Sequence, residues 1–262
     1  MANLTSSASA AHVAALLSSA DIDDIQTIAD RYRDDPRIQV QKARAVALRR
    51  LERERLERER VRAMYEMQTR LGGRGVVIGV DEVGRGSVAG PLTVCAVCLP
   101  PTPIIWGVND SKRLSAAKRQ KLAARIERIA RAIGICHIPA CDIDRCGMGA
   151  ALRHAVRLAV ADCGLEPDCV LMDGNPLGAV ERERCVVHGD ALVASIAAAS
   201  IVAKVTRDDL MIELDSTYPG YHLAASKGYA SPEHIEAIRE RGLTPEHRAS
   251  FCGNFVQTLP LF

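Results

Sequence analysis

Asp81-Glu82 closes the apolar run Val76-Val77-Ile78-Gly79-Val80 and is followed, after Val83, by Gly84-Arg85-Gly86. Two adjacent carboxylates repel each other unless a cation or water screens them, and a hard divalent metal is the natural cation. The glycines let a ligand approach the backbone, and Arg85 adds a fixed positive charge where an anionic substrate could be met. An ordinary polar turn after a strand fits the same residues. Two further apolar runs end in an acid: Leu171-Met172 before Asp173-Gly174-Asn175, and Val186-Val187-His188-Gly189 before Asp190. In an open α/β sheet, residues leaving different strand ends meet in space while distant in sequence. Asp81, Glu82, Asp173 and Asp190 gathered in this way would hold two divalent ions, and hard oxygen ligands suit magnesium or manganese. The chemistry is then in-line hydrolysis of a phosphodiester, one ion activating water and the other stabilising the leaving oxygen. Singly, Asp173-Gly174 also fits a tight turn, and Asp190 also fits the N-cap of an Ala-rich helix.

A basic complement accompanies these acids: Lys112 and Arg113 in Asn109-Asp110-Ser111-Lys112-Arg113, Lys204 and Arg207 on a long helix, and Lys227 in Ser226-Lys227-Gly228-Tyr229. Ser200, Lys204 and Arg207 share one helical face. Such cations are ordinarily solvated surface. Only 3% of residues are aromatic, so Tyr229 in its Lys-Gly-Tyr loop stands out as a group that could stack on a sugar or base. A half-buried structural tyrosine fits that position equally.

These residues need a scaffold, and the sequence divides into two compositional blocks. Residues 1–72 are rich in Ala, Leu, Arg and Glu, carry one proline, Pro36, and lack glycine before Gly72. That block reads as all helical: Ala10 to Leu17, Ile22 to Tyr32 with Asp21 as its cap, and a long helix from about Pro36 to Leu71. Its middle sets Glu54 against Arg58 and Glu52 against Arg55, which stabilises a mostly solvated helix. The excess of Arg over Glu leaves auxiliary contact with nucleic-acid phosphate open beside the plainer reading of a spacer. Gly72-Gly73-Arg74-Gly75 is a linker. A mixed α/β domain spans 76–251: strands at Val76 to Asp81, Leu92 to Leu99, Gly134 to Pro139, Asp168 to Met172 and Cys185 to His188, the first two a candidate hairpin. Helices are expected from Ser115 to Ala132, Gly149 to Cys163 and Ala191 to Leu214, with a last one starting at Ser231-Pro232-Glu233 and stopped by Gly242. Residues 252–262 form a tail.

At 262 residues the chain can bury one α/β domain and carry an extension, and its net charge of +2 neither demands nor excludes a polyanionic partner. No uninterrupted apolar stretch approaches a membrane span, and Met1 to Ala20 lacks the pattern of a signal peptide, so a cytoplasmic location is expected. The nine cysteines lie largely in apolar segments and read as reduced, buried thiols. Cys95 and Cys98 have zinc-ligand spacing, but no second pair matches it and their surroundings read as a strand.

Together these segments resemble bacterial ribonuclease HII, the type 2 ribonucleases H. The resemblance rests on Gly79 to Gly86 with Ala89-Gly90-Pro91, Asn109 to Lys112, Met172 to Asn175, Gly189 to Asp208, Tyr218-Pro219-Gly220-Tyr221, Lys227-Gly228-Tyr229 and His247-Arg248-x-Ser250-Phe251, in order. It implies a ribonuclease H-like mixed sheet flanked by helices, with a helical C-terminal region, and cleavage of RNA in RNA–DNA hybrids or at single ribonucleotides in duplex DNA. It further implies 5′-phosphate and 3′-hydroxyl ends and a role in ribonucleotide removal during replication or repair. Asp81, Glu82, Asp173 and Asp190 match the family's catalytic, metal-binding acids. Gly84, Arg85 and Gly86 match its reader of the 2′-hydroxyl, and Tyr229 its tyrosine at the RNA–DNA junction. Lys112, Ser200 and Lys204 fall in family-like segments and are expected to meet phosphate. Ser87 stands where the family often has proline, a change that alters loop stiffness without removing a ligand. The helical block resembles extensions of some bacterial members. Ribonuclease HIII fits less well, since its first motif lacks this Gly-Arg-Gly. The terminal residues Gln257, Leu259, Leu261 and Phe262 resemble peptides that dock on the bacterial sliding clamp, and a tail packed on its own domain is the alternative. The rival functions are a junction resolvase of the same fold and a non-catalytic hybrid-binding module.

Overall fold

The computed structural model of the protein describes residues 8–256. The proposed clamp residues Gln257, Leu259, Leu261 and Phe262 lie outside the described residues. The chain divides into two compact units, Met1–Arg60 and Val61–Phe262.

In the first unit, α1 (Ala10–Ser19), α2 (Ile25–Arg31) and the opening of α3 (Ile38–Gly72) enclose Val13, Leu17, Ile25, Ala29, Val40 and Ala47. Ser9 caps α1, its hydroxyl accepting the His12 amide. At the start of α2 the chain departs from expectation: Asp24, not Asp21, precedes the helix, and it makes no side-chain cap. Arg58 pairs with Glu54 at 3.0 Å as the spacing predicts, whereas Arg55 turns to Glu59 at 3.1 Å rather than to Glu52. These exposed pairs add about 0.3–0.5 kcal/mol each. The helix–strand change occurs at the Gly72–Gly75 segment, but the packing boundary falls earlier, inside α3.

The second unit is built on a five-stranded sheet in the order β3-β2-β1-β4-β5. Its strands are β1 (Val77–Val83), β2 (Leu92–Cys98), β3 (Ala132–Ile138), β4 (Cys169–Asp173) and β5 (Glu183–Val186). The first three are antiparallel neighbours, and β4 and β5 run parallel to β1. Both faces are covered, which is why β2 is buried throughout instead of alternating. On one face Cys95 and Val97 meet Leu122 and Ile126 of α4 (Ala116–Ile129) and the alanines of α8 (Ala194–Thr217). On the other, Val94, Ala96 and Cys98 meet Leu152 and Val156 of α6 (Met148–Asp162). Cys95 and Cys98 therefore point to opposite faces and cannot share a metal ion. Cys141 and Cys146, on α5 (Ala140–Cys146), are exposed, unlike the buried thiols expected throughout. Among the described residues no helix is long and apolar enough to cross a membrane.

The central strand is where α8 comes closest. A Cβ on Gly79 would lie 2.3 Å from the Ser195 carbonyl carbon and 2.4 Å from the Ile196 nitrogen, both backbone atoms. Only glycine admits the helix at that distance, and the next residue on the same face of β1 is Asp81. Gly79→Val is expected to destabilise the protein by about 3 kcal/mol, read from the urea midpoint, because neither backbone can yield to a branched side chain.

The long Ala-rich helix expected from Ala191 is interrupted. Gly189–Leu192 form a short helix α7, Val193 is extended at φ −125° and ψ 125°, and α8 starts at Ala194. The Gln68 carboxamide oxygen accepts the Ser195 amide at 2.8 Å, satisfying one of the free donors of the new helix start. Beyond α8, α9 (Leu223–Ser226) and α10 (Pro232–Arg241) close a third core with Val88, Met211, Tyr221 and Ile238. Cys252 is buried in that core, so the segment after residue 251 begins as part of the domain.

Candidate active site

β1 and β4 run parallel and end side by side, which brings Asp81 and Glu82 beside Asp173. His188 adopts a left-handed conformation, φ 58°, and turns the chain into α7, where the Gly189 amide donates to Asp173 Oδ1 at 2.6 Å. That turn presents Asp190 to the same space. Asp190 lies inside the first turn of α7 and is not the cap of a long helix.

All four carboxylates line one cavity of about 350 Å³, together with Lys112, Ser200, Lys204 and Tyr229. Ser200 is buried on α8, with its Oγ 2.9 Å from Ser111 Oγ and its hydroxyl also bonded to Asp81. Ser111 and Lys112 lie on a short 3-10 turn whose first amides are gathered by Asp110, which accepts the Lys112 N–H at 2.9 Å. Lys204 is engaged by Asp208 at 2.7 Å and is not a free cation. Arg85 stands at the rim, largely exposed, with its guanidinium 3.5 Å from Glu82.

Burial, reinforced by neighbouring charge, raises the proton affinity of three of the acids. Burial, then the charge of Glu82, pushes Asp81 up to about 8, against the pull of Ser200 and the Glu82 amide. Glu82 is raised by burial, and Arg85 partly relieves it. Asp190 is raised by burial and by the neighbouring Asp173 and Asp110. Carboxylates held this unfavourably as anions gain from a cation.

The donor set is hard oxygen, which fits magnesium or manganese. Among the described residues no three His, Cys, Asp or Glu side chains are gathered into a cage for one ion.

Two arginines organise the loops around the site. Arg207, a cation expected on the solvated surface of the helix, is fully buried. Its Nε donates to the Pro91 carbonyl at 2.8 Å, Nη1 to Lys227 at 2.8 Å and Nη2 to Ala89 at 3.1 Å. One guanidinium thus ties the Gly84–Pro91 loop to the Lys227–Tyr229 loop. Gly84 makes room for it: φ is +86°, and a Cβ would sit 2.2 Å from Arg207 Nε. Arg248, also fully buried, donates from Nη2 to Gly90 at 2.8 Å and from Nη1 to the Arg85 carbonyl at 3.1 Å. A signal for Arg207 was present, since Ala203, Arg207 and Met211 recur at the spacing of an inward helical stripe and all are buried. Ser87, the proline replacement, is buried within the same loop.

A family model described as Ribonuclease HII matches residues 78–254, and one described as Ribonuclease HII N-terminal domain matches residues 9–71. The chain is 48% identical over 198 residues to ribonuclease HII of Moorella thermoacetica, an alignment covering 74% of this chain and 96% of that relative. Among solved structures it is similar to ribonuclease H2 from Pyrococcus horikoshii, with a TM-score of 0.60 and 26% identity over 68% of this chain and 96% of the other. It is also similar to ribonuclease HII from Archaeoglobus fulgidus, solved as a PCNA:RNase HII complex, with a TM-score of 0.58 and 25% identity over 66% and 94% of the two chains.

Proposed function

The chain belongs to the ribonuclease HII family, whose members are ribonucleases H acting on RNA–DNA duplexes, and we propose that it also nicks duplex DNA at single embedded ribonucleotides. The observation that carries this reading is the convergence of Asp81, Glu82, Asp173 and Asp190 in one cavity with Lys112, Lys204 and Tyr229, beside the Gly84–Gly86 loop. The four carboxylates would hold two magnesium or manganese ions. When bound, such ions lower the pKa of water and neutralise charge at the scissile phosphate.

The protein's own groups do the rest. The Gly84-Arg85-Gly86 backbone meets the 2′-hydroxyl, at a loop whose Arg85 carbonyl is anchored by Arg248. Lys112 supplies positive charge to the phosphate, and Lys204 does so with the ammonium hydrogens left over from Asp208. Ser200 orients the Asp81 carboxyl. Tyr229, 42% exposed, presents its ring for stacking on the deoxynucleotide after the junction. Hydrolysis leaves a 5′-phosphate and a 3′-hydroxyl, ends that suit ribonucleotide removal in replication or repair. The archaeal relative is described in complex with PCNA, and a sliding clamp is the partner we assign to Gln257, Leu259, Leu261 and Phe262.

The deciding experiment compares a duplex containing one ribonucleotide with the all-DNA duplex of the same sequence, with magnesium and with chelator. Cleavage confined to the ribonucleotide and lost with chelator is expected. Equal cutting of both duplexes would favour a junction-resolving nuclease, and binding without cutting would favour a hybrid-binding module. Arg85→Ala is expected to reduce the preference for ribose over deoxyribose about tenfold while changing general duplex affinity by less than about threefold. Competition binding on the two duplexes measures both.

A further inference from the structure

Behind Tyr229 lies a pair of buried histidines that the chemistry above does not use. His234 and His247 are both nearly inaccessible, with Nε2 atoms 3.1 Å apart. His234 Nδ1 is 2.8 Å from the Tyr229 carbonyl oxygen, and His247 Nδ1 receives the Thr244 amide at 3.0 Å. These partners settle the tautomers. A carbonyl only accepts, so His234 carries its hydrogen on Nδ1 and offers a lone pair at Nε2. His247, accepting at Nδ1, carries its hydrogen on Nε2 and donates it to His234. The chain of donors therefore runs from Thr244 N–H through both neutral rings to the Tyr229 carbonyl. Burial and the neighbouring ring push His247 down to about 4, which keeps it neutral.

The same segment holds the other recognition loop. The Glu246 carbonyl accepts the Gly90 amide at 2.8 Å, and the Arg248 amide donates to Val88 at 2.8 Å. Arg248 reaches the Arg85 carbonyl with its side chain. Adjacent residues His247 and Arg248 thus link, His247 through His234, to the Tyr229 loop and, Arg248 directly, to the Gly84–Gly86 loop.

We propose that His234 and His247 are positioning residues that set the place of Tyr229 relative to the Gly84–Gly86 loop, and so tune the enzyme's preference for an embedded ribonucleotide over a continuous RNA–DNA hybrid. The proposal rests on the reading of Tyr229 as the group that stacks at the junction. The Tyr229 carbonyl also accepts the Ser231 amide at 2.8 Å, so the histidine supplies its second hydrogen bond and fixes direction rather than mere satisfaction.

The test is the ratio of kcat/KM on a duplex with one embedded ribonucleotide to kcat/KM on a uniform RNA–DNA hybrid, measured on the full chain. His234→Ala is expected to lower that ratio about fivefold. In His234→Asn the amide nitrogen takes the place of Nδ1 and still donates to Tyr229, so the ratio should stay within about twofold of the parent. In His234→Gln the amide reaches the place of Nε2 instead, and the ratio should fall as in His234→Ala. In a Tyr229→Ala background, His234→Ala should change nothing further. An Asn variant as impaired as Ala, or an equal loss on both substrates that persists without the Tyr229 ring, overturns the proposal. If Tyr229→Ala lowers the ratio and the His234 variants do not, the proposal alone falls. If Tyr229→Ala leaves the ratio unchanged, the Tyr229 reading falls and takes the proposal with it. Should His234→Ala not fold, the Asn and Gln pair decides.

Discussion

Asp81→Asn is expected to lower cleavage about a thousandfold or more while making the metal-free protein more stable. The loss follows from the metal-holding role proposed for Asp81, since removing an anionic oxygen there would forfeit charge stabilisation of the transition state amounting to several kcal/mol. The gain follows from burial. Asp81 is pushed up to about 8 in the folded chain, against an ordinary value of 3.8. The folded state therefore keeps a proton that the unfolded state releases near pH 4. Between about pH 4 and pH 8 the folded state binds more protons, so the stability of the metal-free parent falls as pH rises through this window. Asparagine does not titrate, and its variant should lack that contribution to the slope. At pH 7 the difference should be on the order of 3 kcal/mol in favour of Asp81→Asn. Magnesium should raise the melting temperature of the parent, since an ion that binds only the folded state stabilises it, and should raise that of the variant far less. Thermal unfolding at pH 5 and pH 7.5, with metal and with chelator, together with a cleavage assay, checks each part. A variant that still cuts, or a metal-free variant less stable than the parent at pH 7.5, would contradict the role given to Asp81.

Arg207→Ala is expected to cost roughly 3–5 kcal/mol of stability. Its guanidinium donates to three carbonyls on two loops, and the side chain is fully buried. Truncation would leave those carbonyls without their donors and open a cavity between α8 and the Gly84–Pro91 and Lys227–Tyr229 loops. Arg207→Met, which retains the apolar stem, should recover only the packing share. Arg207→Lys should also fall well short of the parent, because a single ammonium cannot span the positions reached by a planar fork. The urea midpoint reads these differences. Activity should fall further than stability alone explains at temperatures where the variants remain folded, since Gly84–Pro91 and Lys227–Tyr229 would no longer be joined. Retention of parent stability in Arg207→Ala would show that the clamp is not structural.

The meeting of the four acids in one cavity was legible in the sequence because each follows an apolar run, and strands of an α/β sheet deliver their ends to one edge. Asp81, Glu82, Asp173 and Asp190 were each candidates by residue type and position, with a turn or a cap as the alternative for Asp173 and Asp190 until the ordered motifs are taken together. The helix capped by Ser115 and the one opened by Pro232, by contrast, were legible locally. Periodicity also marked both blocks of the chain. It did not mark the break at Val193, because an Ala-rich segment favours helix on either side of it and the decision comes from Gln68 and the turn at His188. Nor did it separate Arg207 from Lys204, since charge in a sequence does not say which cation is desolvated. Burial of Arg207 depends on carbonyls contributed by Ala89 and Pro91, more than a hundred residues earlier in the chain. Local sequence determined which groups are candidates for the chemistry. Tertiary structure alone decided how the Gly84-Arg85-Gly86 loop and Tyr229 are held to each other, because the Arg207 and His234–His247 links join segments that meet only once the sheet, α8 and α10 have packed.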